Sequence, residues 1–247
     1  MKLLSYVPSL LFCIFLLFSS CTIAEFNQTD ATVITTRRYA SGTPLTITFE
    51  RGKQWFHEQR IAIFKVMITP QIAVWTEDGD GQHLQTLYVT ERFAKQDWAM
   101  AKYDDTTCIR KMSLPYWMNS YLKGGHPLPT RASPLPDGIT GATPTGSFTL
   151  KTRLDRDTGT VVLYVELNKS FDTNDTYSKK RELSKFNGQP SVVYSVSIDL
   201  SSLDSPLQFT PVGHSGETGD DGELYPDIAA LTTALQMVKR ITVARGK

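Results

Sequence analysis

The sequence predicts an all-β protein: an antiparallel Ig-like β-sandwich with a long irregular insertion and a short C-terminal helix. Three observations predict it. About eight short runs rich in Val, Ile, Thr, Tyr and Phe recur along the chain, clusters of Gly, Asp and Pro separate them, and helical periodicity is scarce. Thr46-Ile47-Thr48-Phe49-Glu50 alternates and reads as the first strand. Ile61 to Ile68 (IAIFKVMI) is an apolar run with β-branched residues. Gln71 to Thr76 (QIAVWT) and Leu84 to Thr90 (LQTLYVT) flank Glu77-Asp78-Gly79-Asp80-Gly81 and form a hairpin. Residues 95 to 146 follow as the insertion, irregular and aromatic-rich. The hairpin pattern recurs with Ser147 to Leu154, a turn at Asp155-Arg156-Asp157-Thr158-Gly159, and Val161 to Leu167. Val192 to Leu200 and Leu207 to Val212 continue the strands. Asp227 suits the cap of a helix over Ile228 to Met237, leaving Ile241 to Ala244 as a last strand. Residues 175 to 247 either complete the sandwich or form a small subdomain.

Composition narrows the function classes. With 247 residues and 40% hydrophobic content the chain can bury a substantial core. Its 26 Lys plus Arg face 25 Asp plus Glu, so no long-range field attracts nucleic acid, and no nucleic-acid partner is expected. The first segment reads as targeting: Lys2, an unbroken apolar run from Leu10 to Phe18, then Ser19-Ser20 before Cys21. That small-small-Cys ending resembles the lipobox of bacterial lipoproteins, which implies that residues 1–20 are a signal peptide and that Cys21 carries lipid. Residues 21–43, polar and Thr-rich, then form a lipid-anchored tether, and 44–247 the folded domain with its insertion at about 95–146. Thr22, where an Asp would signal inner-membrane retention, favours by the same resemblance an outer-membrane anchor on the periplasmic side. Cys13 leaves with the signal, so Cys108 remains without a disulfide partner and reads as a small buried hydrophobe.

The segment Pro134-Leu135-Pro136-Asp137-Gly138-Ile139-Thr140-Gly141-Ala142-Thr143-Pro144-Thr145-Gly146 is built of loop residues, too rich in Pro and Gly for a helix or a sheet interior. Small residues at Gly141 and Ala142 admit close approach of another protein, and glycine tolerates a positive φ. The prolines stiffen the loop, and Asp137 suits an Asx-type turn.

Pro70-Gln71-Ile72-Ala73-Val74-Trp75-Thr76-Glu77-Asp78, with Thr86-Leu87-Tyr88-Val89, resembles the opening of the predicted periplasmic family known as domain of unknown function 2271. Leu114-Pro115-Tyr116-Trp117, Thr140-Gly141-Ala142-Thr143-Pro144 and Glu166-Leu167-Asn168-Lys169-Ser170-Phe171-Asp172 resemble its later landmarks. The likeness covers residues 45 to 175 well and implies an exported β-rich domain. Within it, Asp137-Gly138-Ile139-Thr140-Gly141-Ala142-Thr143 resembles the Asp-x-x-(Ser/Thr)-Gly-Ala-Thr pattern of covalent flavinylation. The resemblance implies that an exported FAD:protein FMN transferase places FMN on Thr143 through a phosphoester, recognising Asp137, Thr140, Gly141 and Ala142. It implies a carrier of electrons to and from membrane redox proteins, a substrate of the transferase with no catalytic residues of its own. Tyr116 and Trp117, with Trp98, Tyr103 and Tyr121, are the aromatic candidates for stacking on the flavin.

Other constellations are weaker. The loop from His214 to Glu223 gathers acidic residues, but its spacing fits no EF-hand and it reads as solvated. Gly213-His214-Ser215-Gly216 lacks the second glycine and the strand-to-helix setting of a hydrolase elbow. His57, His83, His126 and His214 show no zinc spacing, so no metal is expected. The rival to the flavin carrier is a cofactor-free binding or assembly module of the cell envelope, in which the Thr-Gly-Ala-Thr loop is a connector.

Overall fold

The computed structural model describes residues 32–61, 63–98, 109–179, 186 and 188–247. The signal peptide, Cys21, Tyr103 and Cys108 lie outside the described residues. The strands are β1 (Thr32–Thr35), β2 (Pro44–Arg51), β3 (His57–Ile61), β4 (Phe64–Ile68), β5 (Gln71–Glu77), β6 (His83–Thr90) and β7 (Thr140–Gly141). They continue with β8 (Phe148–Arg153), β9 (Thr160–Asn168), β10 (Val192–Asp199), β11 (Leu207–Gln208), β12 (Thr210–Ser215), β13 (Leu224–Tyr225) and β14 (Val238–Arg245). Among the described residues there are two short α-helices, α1 (Glu91–Ala94), which follows β6 directly, and α2 (Pro115–Lys123), which lies in the insertion.

A five-stranded sheet, ordered β1-β8-β2-β14-β11, faces a seven-stranded sheet, ordered β13-β12-β10-β9-β5-β6-β7. The all-β sandwich is therefore the observed fold. Pairing is antiparallel except at two edges, where β1 joins β8 and β7 joins β6 in parallel. From Pro44 to Glu50, β2 alternates between half-buried and buried positions, as a strand with one face on the core should. Leu45, Ile47 and Phe49 from β2 meet Ile72, Val74, Leu163, Val165 and Leu167 from the other sheet in the main core.

Strand β5 behaves differently, with all seven of its residues buried. Its second face, with Ala73 and Trp75, belongs to another apolar cluster that includes Val89, Phe93, Leu114, Trp117, Met118 and Val193. Helix α1 and the insertion supply that covering layer, which explains why QIAVWT shows no polar alternation.

Several elements differ from the sequence expectation. The insertion is not wholly irregular: α2 starts with Pro115 at its first turn and ends at Lys123 before Gly124, with Trp117 and Met118 buried. Ile61 to Ile68 is no buried strand but the turn and second arm of the β3–β4 hairpin, a separate two-stranded sheet with Ile63 80%, Phe64 66% and Met67 56% exposed. Asp155 to Gly159 is a corner between sheets, since β8 and β9 belong to different ones. The C-terminal helix shrinks to a 3-10 turn at Ala234–Gln236. Its backbone is claimed by side chains: Thr232 N donates to Gln189 Oε1 at 2.7 Å, and Asn174 Nδ2 to the Ala230 carbonyl at 2.9 Å. Residues 32–43 of the expected tether are part of the sandwich. Thr36 and Thr43 are buried, and Thr36 Oγ1 donates to Thr152 Oγ1 at 2.9 Å. Residues 188 to 247 contribute strands to both sheets, so no separate subdomain forms there.

Leu163 lies at the centre of the main core and is fully buried, whereas Leu122 on α2 is 49% exposed. Leu163→Ala should lose about 2–5 kcal/mol and Leu122→Ala less than about 0.5 kcal/mol, as read from urea unfolding.

Candidate functional site

The Asp137–Thr143 segment lies where the open edges of the two sheets approach each other. Asp137–Ile139 makes one 3-10 turn, with Ile139 N donating to the Pro136 carbonyl at 3.2 Å. Thr140 and Gly141 then pair with Val89 and Thr90 as strand β7. On the other side, Arg37 N donates to the Gly138 carbonyl at 2.8 Å. The loop thus bridges the β6 edge of one sheet and the segment following β1 in the other.

Gly141 does not use a positive φ. It is small because a Cβ there would stand 3.2 Å from the Tyr88 ring and 3.3 Å from Ile34 Cγ2. Sequence reasoning named the right residue type for a different reason.

Buried donors pin the carbonyls on both sides of Thr143. The Tyr88 hydroxyl donates to the Ala142 carbonyl at 3.2 Å, and Trp55 Nε1 donates to the Pro144 carbonyl at 3.0 Å. Tyr88 and Trp55 are core residues, so the backbone around Thr143 is tied to the packed core. Asp137 and Ala142 are exposed, and Thr140, Gly141 and Thr143 are half-buried. Among the described residues nothing hydrogen-bonds the Thr143 hydroxyl. Asp137 offers its own carbonyl to Thr140 Oγ1 at 3.5 Å, leaving its carboxylate facing solvent.

Two of the aromatic candidates for stacking, Trp117 and Tyr116, are engaged with other side chains. Trp117 is fully buried on α2, donates Nε1 to Thr86 Oγ1 at 3.1 Å and stacks on Tyr121 at 4.9 Å. Tyr116 is half-buried between Trp75 and Tyr164. Trp117 has no free face for a flavin, because covering the seven-stranded sheet takes both of its sides.

Beneath α2 lies a polar network that the sequence reading missed. Ser120 Oγ donates to Glu77 Oε1 at 2.5 Å, which also receives Trp75 Nε1 at 2.8 Å. With its proton so directed, Ser120 accepts from His83 Nδ1 at 3.0 Å, and His83 Nε2 accepts from the Thr86 hydroxyl at 3.2 Å. This arrangement of donors is the one a neutral imidazole takes. Burial, aided by nearby His126, lowers the His83 pKa to about 4 in keeping with that. Glu77, His83 and Ser120 are all buried, so the network locks α2 onto the sheet and presents no nucleophile to solvent. Ser120 lies far along the chain from the hairpin bearing the other two, which is why spacing could not reveal it.

Glu166, in the landmark Glu166-Leu167-Asn168-Lys169-Ser170-Phe171-Asp172, is fully buried and caps α2. It accepts from Trp117 N at 2.7 Å, from Tyr116 N at 3.2 Å and from the Ser191 hydroxyl. Burial outweighs those donors and lifts its carboxyl to about 7. Asn168 Nδ2 donates to the Met112 carbonyl at 2.6 Å, and buried Lys169 Nζ to the Gln54 carbonyl at 2.6 Å. This landmark is therefore a structural junction between β9, the insertion and the segment leading to β3.

In the acidic loop, Asp220 pairs with Lys111 at 3.2 Å, while Asp221 accepts from Glu223 N and the Tyr225 hydroxyl. Ser215 is buried with its hydroxyl 2.7 Å from that of Ser191, and since the Ser191 proton is directed at Glu166, Ser215 is the donor in that contact. Among the described residues no three His, Cys, Asp or Glu side chains converge on a common ion position.

Compared with known protein families, curated proteins and solved structures, the chain finds no match. The likeness to domain of unknown function 2271 rests on the quoted motifs alone.

Glu166 and His83 make opposed contributions to stability against pH. Between about 4.5 and 7 the unfolded chain has released the Glu166 proton that the folded chain keeps, so stability falls as pH rises. Between about 4 and 6.5 the unfolded chain binds a His83 proton that the folded chain refuses, so stability rises with pH. His83→Gln should uncover the falling limb and Glu166→Gln the rising one, each up to ~1.4 kcal/mol per pH unit. Urea midpoints measured from about pH 4 to 8 test both signs.

Proposed function

We propose that this chain is an exported lipoprotein, anchored through Cys21 in the bacterial envelope, that carries FMN on Thr143 and passes electrons between membrane redox proteins and exported partners. The observation that carries this reading is the Asp137-Gly138-Ile139-Thr140-Gly141-Ala142-Thr143 string, with Thr143 half-buried and its hydroxyl unbonded among the described residues. A protein substrate must offer its reacting oxygen without first breaking a hydrogen bond and must hold it where a visiting enzyme expects it. The Tyr88 and Trp55 bonds on either side supply the second condition.

In the transfer, Thr143 Oγ bonds to the FMN-side phosphorus of FAD, and the bond from that phosphorus to the bridging oxygen breaks. AMP leaves, and the hydroxyl proton goes to the transferase. No electrons are exchanged in this step. A neutral threonine hydroxyl is a weak nucleophile, so activation belongs to the transferase. The attached group supplies reversible electron transfer, and this chain supplies its position and surroundings.

The second reading, a cofactor-free binding module, is favoured by one observation: the β3–β4 hairpin exposes Ile63, Phe64 and Met67 together. Coexpression with a cognate FAD:protein FMN transferase separates the two. The wild type should gain the mass of one FMN and fluoresce in a denaturing gel. Thr143→Ala should lose both signals, and Thr143→Ser should retain them. An unmodified wild type beside an active transferase refutes the carrier and favours the binding module.

A further inference from the structure

At the end of the sandwich where β5 begins and β6 and β9 finish, a cleft of about 270 Å³ opens between the β3–β4 hairpin and the body. Its volume is near the lower limit of small-molecule sites, about 300 Å³, the class of a ring system rather than a whole dinucleotide.

The two walls differ chemically. The hairpin wall is apolar, with Phe64, Val66 and Met67 at its lip, and these large side chains are partly in water as the structure stands. The opposite wall carries Arg92, Arg110 and Gln71. The Arg110 guanidinium is held between two rings, 4.6 Å from the centroid of Trp98 and 4.4 Å from that of Phe186. Trp98 is fixed in turn by donating Nε1 to Gln96 Oε1 at 2.7 Å. Gln71 Oε1 receives the Thr90 hydroxyl at 2.8 Å, and its amide nitrogen has no hydrogen-bond partner among the described residues. No acidic side chain is among the described residues that line the cleft.

A planar ligand with one apolar end and one electron-rich, hydrogen-bond-accepting end matches these walls. The isoalloxazine ring has that polarity: a dimethylbenzene edge and a pyrimidinedione edge. We infer that this cleft receives the ring of the flavin attached at Thr143, an inference that rests on the carrier reading above.

The topology places the anchor within reach. Gly141 pairs with Thr90, and Thr90 bonds the cleft residue Gln71. Two strand spacings separate β7 from β5, about 10 Å, and two residues of chain from Gly141 to Thr143 add at most about 7 Å. A ribityl phosphate arm with its ring system covers that span. With the ring seated, Arg110 and Arg92 lie by the edge where negative charge accumulates on reduction, which raises the potential above that of free FMN. The hairpin lip covers the dimethylbenzene edge.

The test uses the full chain coexpressed with the transferase, as wild type, Phe64→Ser and Arg110→Gln, with urea midpoints confirming that each is folded. Mass spectrometry should find FMN on all three. In the wild type, iodide should quench the flavin several-fold less efficiently than it quenches free FMN. Phe64→Ser should return the ring to the iodide access of free FMN, and Arg110→Gln should lower its midpoint potential toward the free value. A modified wild type as accessible to iodide as free FMN overturns the cleft assignment and leaves the carrier reading standing. A protected ring indifferent to both substitutions also overturns it, because the ring then sits elsewhere. A chain without FMN overturns both.

Discussion

Burial of the seven-stranded sheet on both faces is the constraint from which most of this structure follows. One face packs against the five-stranded sheet, and the other would expose Ala73, Trp75, Val89 and Val193 if nothing covered it. At roughly 25 cal/mol per Å² of apolar surface, an open face of that kind is strongly unfavourable in water. Phe93 on α1 and the insertion's Leu114, Trp117 and Met118 answer it. Placing a helix against a buried sheet then requires its polar groups to be satisfied without solvent. Glu166 does so at the N-terminus of α2, and the Glu77–Ser120–His83–Thr86 chain does so along its length. Trp117, which looked available for a ligand, is thereby committed to architecture.

The same constraint explains where the Thr-Gly-Ala-Thr loop ends up. Having covered the sheet, the chain must return to the other sheet to begin β8, and it does so along the exposed edge of β6. The two residues of β7 cap that edge, a short strand where a long one would invite pairing with other chains. Thr143 follows two residues after the last pairing position, Gly141, and just before Trp55 fixes the Pro144 carbonyl. The loop is thus surface chain held by interior donors, which reconciles accessibility with a defined conformation. A mobile loop of the same sequence would carry an ordering cost on docking that this one has already met through folding.

Much of the fold was legible because strand periodicity is a local property. Thr46 to Glu50, Val161 to Leu167 and Val192 to Leu200 alternate or run apolar over distances shorter than any tertiary contact, and each is a strand. The helix α2 carried its own signals, Pro115 at the start and Lys123-Gly124 at the end, beneath the impression of an irregular region. Ile228 to Met237 carried the opposite risk. Its composition suits a helix, yet Gln189 and Asn174 from distant segments take the backbone groups a helix would use.

From residues alone came the strand-rich class, the hairpin around Asp78-Gly79-Asp80-Gly81 and the loop string ending at Thr143, all of which depend on neighbours within a few positions. Tertiary structure alone decided which apolar runs are inside, since IAIFKVMI and QIAVWT look alike as strings and differ only in whether two layers or none close over them. It also decided that Trp117 is a core residue, that Glu166 and His83 are buried polar groups with displaced titrations, and that Tyr88 and Trp55 flank Thr143. These are contacts between residues dozens of positions apart, and the energy of burying a group depends on what arrives to cover it, which no local pattern encodes.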